Sequence, residues 1–300
     1  MGGVSNFIYS FHMPCFILLS GYLSKGITTH RTKEIDTLLY PYVVFQILNF
    51  IFTYLTGYGH GSINLFSPAY LNWYIIALFF WRLFLPYFQK MKKVVVIIIL
   101  ALLWLLSGYG VPNSFLSFYR IFYFLPFFML GYYIDDIEQV MIKMSKHTGV
   151  VVAVTILIII GVFALSFDDR MNVIVHNALA PDAGYKKSIL SVVSKMAGMG
   201  IQFVMTFCFI YACYLIRRKL TGFNKWGKNS MSIYIVHGFI TLVLVPVLIS
   251  KINVYLGLSI SILLSALICW FLSREMVVKA LQPLLNLNDI CSRLKINIYR

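Results

Sequence analysis

Nine apolar runs, each about as long as a helix that crosses a bilayer, constrain this sequence more than any other feature. A helix rises about 1.5 Å per residue, so about 20 apolar residues span the hydrocarbon core of a membrane. The spacing of the runs predicts an all-α fold, a polytopic membrane helix bundle with about nine transmembrane helices. The runs lie at approximately residues 7–23, 38–56, 69–89, 94–110, 115–134, 149–167, 188–215, 229–249 and 255–272.

The composition excludes a soluble protein. Hydrophobic residues make up 60% of the 300 residues, the mean hydropathy is +0.83, and only 12% of the residues are charged. A chain with so little polar surface needs lipid as its solvent. The net charge of +15 does not indicate nucleic acid, because the basic residues lie between the apolar runs and not in one patch. The five cysteines include no CxxC pair, so we interpret them as packing residues and not as disulfides.

The distribution of basic residues predicts the orientation. Eighteen of the 25 basic residues fall in the segments on one side of the membrane and four on the other side. Because cytoplasmic segments are rich in Lys and Arg, the C-terminus is predicted to be cytoplasmic and the first run to start outside. We expect a multi-pass protein of the cell (plasma or inner) membrane. It would consist of a membrane domain, residues 1–280, and a cytoplasmic amphipathic tail, residues 281–300.

Five ionisable residues lie inside the apolar runs, where each is costly and therefore a candidate for function. Lys195 and Arg82 are near run ends, and snorkelling toward the interface explains them more simply than function does. For Arg120, His237 and His12, helix packing and a functional role both stay open.

Motifs of several other classes of protein are absent from the sequence. It contains no Gly-rich phosphate loop and no HExxH motif. Asp135, Asp136 and Glu138 lack partners at metal-ligand spacing, so we interpret them as a solvated loop and expect no metal. The scarcity of acidic residues within the runs argues against a carrier driven by protons or sodium ions.

Four short motifs carry a resemblance to a known family. Phe11-His12-Met13-Pro14-Cys15-Phe16, followed by Ser20-Gly21-Tyr22, resembles the second-helix signature of the membrane acyltransferases of family 3, in particular the group similar to fucose 4-O-acetylase. Three weaker motifs follow in the order that the family shows. They are Asn72-Trp73-Tyr74-Ile75, Arg120 with the segment Phe124-Leu125-Pro126-Phe127-Phe128-Met129-Leu130-Gly131-Tyr132-Tyr133, and Ser230-Met231-Ser232-Ile233-Tyr234-Ile235-Val236-His237.

The resemblance implies a membrane-embedded O-acyltransferase. Such an enzyme would move an acetyl group from cytoplasmic acetyl-CoA to a sugar hydroxyl of a surface glycan or of its lipid-linked precursor. The family typically has ten helices, and its first helix ends in a catalytic histidine shortly before the Phe-His-Met-Pro motif. No signal peptide or basic anchor precedes the first run here. We therefore expect one further helix upstream, and a chain that is inactive without it.

The resemblance also implies roles for individual residues. His12 would act as a general base or orient the family's other histidine, and Arg120 would stabilise the developing oxyanion or hold an acidic sugar. The residues that we expect to act in catalysis are His12, Arg120 and His237. The residues that we expect to bind substrate are Ser20, Tyr22, Trp73 and Arg82.

Two other functions stay open from the sequence. A transporter or flippase for a lipid-linked glycan would use the same polar residues as a path across the membrane. A non-catalytic membrane partner or sensor would tolerate substitution of all of them.

Overall fold

The computed structural model describes residues 2–26, 31–57, 64–69, 71–108, 115–179, 189–219, 221–249 and 254–293. Within these ranges the regular structure is helical throughout, so the predicted all-α membrane bundle is confirmed. Short π or 3-10 turns precede α4 and follow α11. The helices are α1 Gly2–Tyr9, α2 His12–Leu23, α3 Arg31–Glu34, α4 Tyr40–Thr56, α5 Trp73–Lys90, α6 Lys93–Ser107, α7 Phe118–Tyr133, α8 Ile137–Ser145, α9 Thr148–Leu165, α10 Asp169–Leu179, α11 Ile189–Leu215, α12 Asn224–Lys228, α13 Ser230–Ile249, α14 Val254–Leu272, α15 Glu275–Leu285 and α16 Leu287–Arg293.

Each predicted run corresponds to one helix, or to two adjoining helical segments. Among the described residues, three helical segments are long and apolar enough to cross a bilayer: Ile35–Thr56, Thr148–Leu165 and Ile189–Leu215. A pair bent by 78°, Ser259–Leu272 and Glu275–Leu285, passes the same test when it is taken as one span. Membrane helices are thus present, while the number of about nine spans stays a prediction.

The first predicted run is divided into α1 and α2 at Ser10 and Phe11. Pro14 explains the division. A proline ring collides with the carbonyl four residues earlier, here that of Ser10, and proline offers no N–H for the helical bond. The break puts His12 at the first position of α2.

The helices form two compact units, each assembled from separate stretches of chain. The first unit comprises Met1–Ile27, Tyr87–Asn113 and Phe118–Leu220. The second unit comprises Thr28–Pro86, Ser114–Ser117 and Thr221–Arg300.

In the first unit, α2 and α7 cross at backbone contact. A Cβ atom at Gly21 would collide with the carbonyl oxygen of Phe128, and one at Gly131 would collide with that of Leu18. Helices in membranes associate through small residues that let their backbones approach closely. Two of the predicted family motifs therefore meet at this crossing.

Two helices, α8 and α10, lie between the predicted apolar runs. Helix α8 is capped by Asp136, whose carboxylate accepts hydrogen bonds from the backbone N–H groups of Glu138 and Gln139. Helix α10 is preceded by Asp168, whose carboxylate accepts a bond from the backbone N–H of Met171 at 2.9 Å. Asp135 and Asp136 are exposed and lie in the loop before α8, as expected, while Glu138 lies in the first turn of the helix. The Asp136 carboxylate satisfies N–H groups that a helix start leaves unpaired.

The tail of the chain packs within the second unit. The hydroxyl of Tyr40 donates to the carbonyl of Pro283 at 2.9 Å, and the amide of Asn288 donates to the buried carboxylate of Asp36 at 2.8 Å. The predicted boundary at residue 280 lies inside α15. Residues 294–300 of the predicted tail lie outside the described residues.

Candidate active site

His12 is presented at the break between α1 and α2. Its Nδ1 lies 2.9 Å from the carbonyl oxygen of Ile8. A carbonyl only accepts hydrogen bonds, so Nδ1 carries the hydrogen, and the lone pair of the neutral ring is on Nε2. The side chain is half-buried. His12 is thus in the tautomer that lets Nε2 take up a proton.

A second imidazole lies close to His12 across a tyrosine ring. The ring centroid of Tyr9 is 5.6 Å from that of His12 and 5.3 Å from that of His176, and both pairs meet edge to face. Tyr9 is 37% exposed and both histidines are half-buried. The rings of Tyr9, His12 and His176 therefore form one partly exposed cluster in the first unit, and each ring can also form hydrogen bonds.

His176 is held in place by Asn6, a residue that is only 1% exposed. The amide nitrogen of Asn6 donates to Ser166 at 3.1 Å and to Asn172 at 2.8 Å, and its amide oxygen accepts from Nδ1 of His176 at 3.1 Å. A buried amide that makes three bonds has one favourable orientation. Asn6 thereby ties α1 to α10 and to the end of α9.

Gln202 on α11 links this cluster to α7. The side chain is 1% exposed. Its amide nitrogen donates to the backbone carbonyls of Tyr9 and Leu179, at 3.2 and 2.9 Å, and its oxygen accepts from the Tyr123 hydroxyl at 2.9 Å. One side chain therefore sets the positions of the end of α1, the end of α10 and the first half of α7.

Two cations lie along the first half of α7. The Nζ atom of Lys195 is 5.4 Å from the ring centroid of Tyr123, and the guanidinium of Arg120, one turn earlier, is 5.3 Å from the ring of Tyr119. Lys195 is only 4% exposed, so our interpretation of it as a snorkelling interface residue was wrong. A tyrosine face attracts a desolvated cation, which offsets part of the cost of burying Lys195.

The other two predicted site residues of α2 are not brought to His12. Ser20 donates its hydroxyl to the carbonyl of Phe16 at 2.7 Å, within its own helix. The ring of Tyr22 lies 4.9 Å from the Nζ atom of Lys25. Eight residues of helix, or about 12 Å, separate Ser20 from His12.

Three predicted site residues belong to the second unit. Trp73 begins α5 and is 6% exposed, so it is a core residue of this unit. His237 lies on α13, and its Nδ1 atom is 2.9 Å from the carbonyl of Ile233, which leaves the ring in the same tautomer as His12. Arg82 pairs with the buried carboxylate of Glu34 at 3.4 Å. The sequence did not predict Glu34 as the partner of Arg82, because Glu34 lies in a segment dominated by basic residues.

A buried amide also organises the second unit. Gln46 on α4 donates to the carbonyls of Asn64 and Ser67, at 2.9 and 2.6 Å, and accepts from the N–H of Ala69 and the amide of Asn72, at 3.0 and 2.9 Å. The hydroxyl of Tyr234 donates to the carbonyl of Leu71 at 2.6 Å. The segment that leads into α5 is therefore fixed to both α4 and α13.

Sequence analysis missed three residues of the first unit that the structure brings together: Asn6, His176 and Gln202. Gln202 and Asn6 had a usable signal, because an amide within or beside an apolar run must find partners in a membrane. His176 had none, since it lies in a polar segment whose pairing with Asn6 spans 170 residues of sequence.

A family model described as an acyltransferase domain, of the acyltransferase 3 type, matches residues 1–274. No curated protein matches the chain, and no solved structure matches it.

Proposed function

Since this chain belongs to the acyltransferase 3 family, we propose that it is a membrane-embedded O-acetyltransferase. Membrane helices and an acyltransferase domain establish a membrane protein with acyl-transfer chemistry. The donor in this proposal is cytoplasmic acetyl-CoA. The acceptor is a sugar hydroxyl of a surface glycan or of its lipid-linked precursor.

The observation that carries the proposal is the contact between Nδ1 of His12 and the carbonyl of Ile8, which leaves Nε2 to accept a proton. Nε2 of His12 takes the proton of the acceptor hydroxyl while the hydroxyl oxygen attacks the carbonyl carbon of the thioester. The tetrahedral intermediate collapses, the C–S bond breaks, and the CoA thiolate leaves and takes up the proton. The bond from Nδ1 to Ile8 holds the ring in one orientation during this proton transfer.

Arg120 and Lys195 supply the positive charge that this reaction needs. The thioester oxygen becomes negative in the transition state, and a cation held in a desolvated site stabilises it strongly. Arg120 is our candidate for this contact, and Lys195 increases the positive potential along the same half of α7. An acidic sugar would be attracted by the same two charges.

In the second unit, His237 and Arg82 are proposed functional residues, each by itself. The tautomer of His237 leaves Nε2 able to accept a proton. A phosphate of CoA bound at Arg82 would share the guanidinium with the carboxylate of Glu34.

The test is to measure alkali-labile acetate on the surface glycans of the source cell, with and without this gene. We expect acetate to fall while total glycan is unchanged. Unchanged acetate would refute the proposal. Loss of the whole glycan would instead support a transporter or flippase for a lipid-linked glycan.

A further inference from the structure

We propose that Tyr9 and His176 form the acceptor-binding subsite, and that α10 thereby selects the sugar. The inference rests on the proposed function, because it takes the O-acetyltransferase reaction as given and assigns the residues that hold the acceptor. It concerns the first unit alone.

Tyr9 and His176 form a more polar surface than a helix presents to lipid. A lipid-facing helix surface carries aliphatic side chains, as α9 does at Ile156, Leu157 and Ile160, all of them exposed. Tyr9 and His176 present instead a partly exposed phenol ring beside a half-buried imidazole. Binding sites for small polar ligands combine an apolar wall with a few polar groups in this manner.

Hydrogen bonds hold the candidate subsite in place before a ligand binds. Nδ1 of His176 is held by the buried Asn6 amide. The backbone carbonyl of Tyr9 and that of Leu179, which ends α10, are both held by Gln202. The His176 ring and the backbone that carries Tyr9 are therefore fixed before any ligand arrives, which lowers the entropy cost of binding.

Tyr9 and His176 also fit a sugar in their chemistry. The C–H face of a pyranose packs on an aromatic ring, and its hydroxyls form bonds with groups that both accept and donate. Since Nδ1 of His176 donates to Asn6, the ring presents Nε2 toward an acceptor hydroxyl. Tyr9 also contacts His12, so a sugar on this ring has a hydroxyl within reach of the proposed general base.

The test uses the purified protein, produced with the upstream helix that the family resemblance implies, in lipid nanodiscs with radiolabelled acetyl-CoA. The acceptor probe is the surface glycan of the source cell, stripped of acetate by alkali. His176→Asn is the informative variant, because the Asn amide nitrogen reproduces Nδ1 and its bond to Asn6 while Nε2 is lost. His147→Ala is the matched control, since His147 is an exposed histidine of the same unit.

We expect His176→Asn to raise the KM for the glycan at least tenfold. The KM for acetyl-CoA should be unchanged, and His147→Ala should resemble the wild type. Tyr9→Leu should raise the glycan KM similarly, whereas Tyr9→Phe should leave it within about twofold because the ring is kept.

A glycan KM within twofold of the wild type in both His176→Asn and Tyr9→Leu would overturn the inference. So would an equal rise in the KM for glycan and acetyl-CoA, which indicates general damage. If the wild type itself transfers no acetate to the glycan, the proposed function fails, and that outcome is distinct from failure of the subsite alone.

Discussion

At the scale of single residues, the first unit concentrates its polar chemistry around His12. The imidazole is anchored by Ile8 and contacts Tyr9, whose backbone is held by Gln202. The nearby half of α7 carries Arg120, one turn before the tyrosine that bonds Gln202. Substitutions of His12 and of Arg120 distinguish the role of the general base from that of the positive charge.

Substitution of His12 by Ala should reduce acetyl transfer at least about a hundredfold, because a general base contributes roughly 10²–10⁴ in rate. The measurement is radiolabelled acetate transferred to de-acetylated glycan, at equal amounts of protein. His147→Ala again provides the control. Transfer at the wild-type rate in His12→Ala would remove this residue from the site.

Arg120→Ala should lower kcat about tenfold to a thousandfold, since it removes a charge that stabilises the oxyanion. Arg120→Lys should recover part of this loss, because the charge is kept while the fork of guanidinium donors is lost. Arg218, exposed in the same unit, is the matched control. If Arg120→Ala and Arg218→Ala have equal kcat values, Arg120 is not a site residue.

At the scale of helices, close backbone contact and buried amides decide where the site residues lie. In the first unit, α2 packs against α7 with backbone contact at Gly21 and Gly131. In the second unit, Gln46 makes four hydrogen bonds to the segment before α5. We expect substitutions at Gly21 and at Gln46 to lower the stability of the protein, each for its own reason.

Gly21→Ala should destabilise the protein by about 1–3 kcal/mol, because the added methyl meets the carbonyl of Phe128 and forces α2 away from α7. The measurement is the Tm of the purified protein in detergent. Gly161→Ala is the control, since nothing lies within 4 Å of the added Cβ there. An unchanged Tm in Gly21→Ala would mean that α2 and α7 do not cross at Gly21.

Gln46→Leu should lower the free energy of unfolding by about 2 kcal/mol or more, because it leaves the N–H of Ala69 and the amide of Asn72 without their acceptor. Thermal unfolding in detergent measures the effect. Gln139→Leu, at an exposed position, should be nearly neutral. Equal Tm values for the two variants would contradict the role given to Gln46.

At the scale of the whole molecule, the basic residues determine the orientation in the membrane. We predict a cytoplasmic C-terminus, because most of the Lys and Arg residues lie in segments on that side. A fluorescent reporter that folds only in the cytoplasm, fused after Arg300, should be bright, and a phosphatase active only outside should be silent. The reverse result would invert the proposed sides of donor and acceptor.

The sequence by itself determined the helical architecture and the family. In lipid no water can bond the backbone, so each N–H group of an apolar run must form its hydrogen bond within its own segment. An α-helix provides these bonds, and the apolar runs therefore predict helices. The seven runs that each became one helix illustrate this, from α5 to α14. Local motifs were sufficient for the family, since each consists of residues that are close together in the sequence.

The tertiary structure alone decided which polar residues meet. Asn6 with His176, Tyr123 with Gln202 and Arg82 with Glu34 are pairs separated by 170, 79 and 48 residues. Apolar periodicity does not encode such pairs, because they depend on which helices pack together and at what height. The burial of Lys195 also depends on tertiary packing, since the Tyr123 ring that its ammonium group contacts lies on another helix, α7.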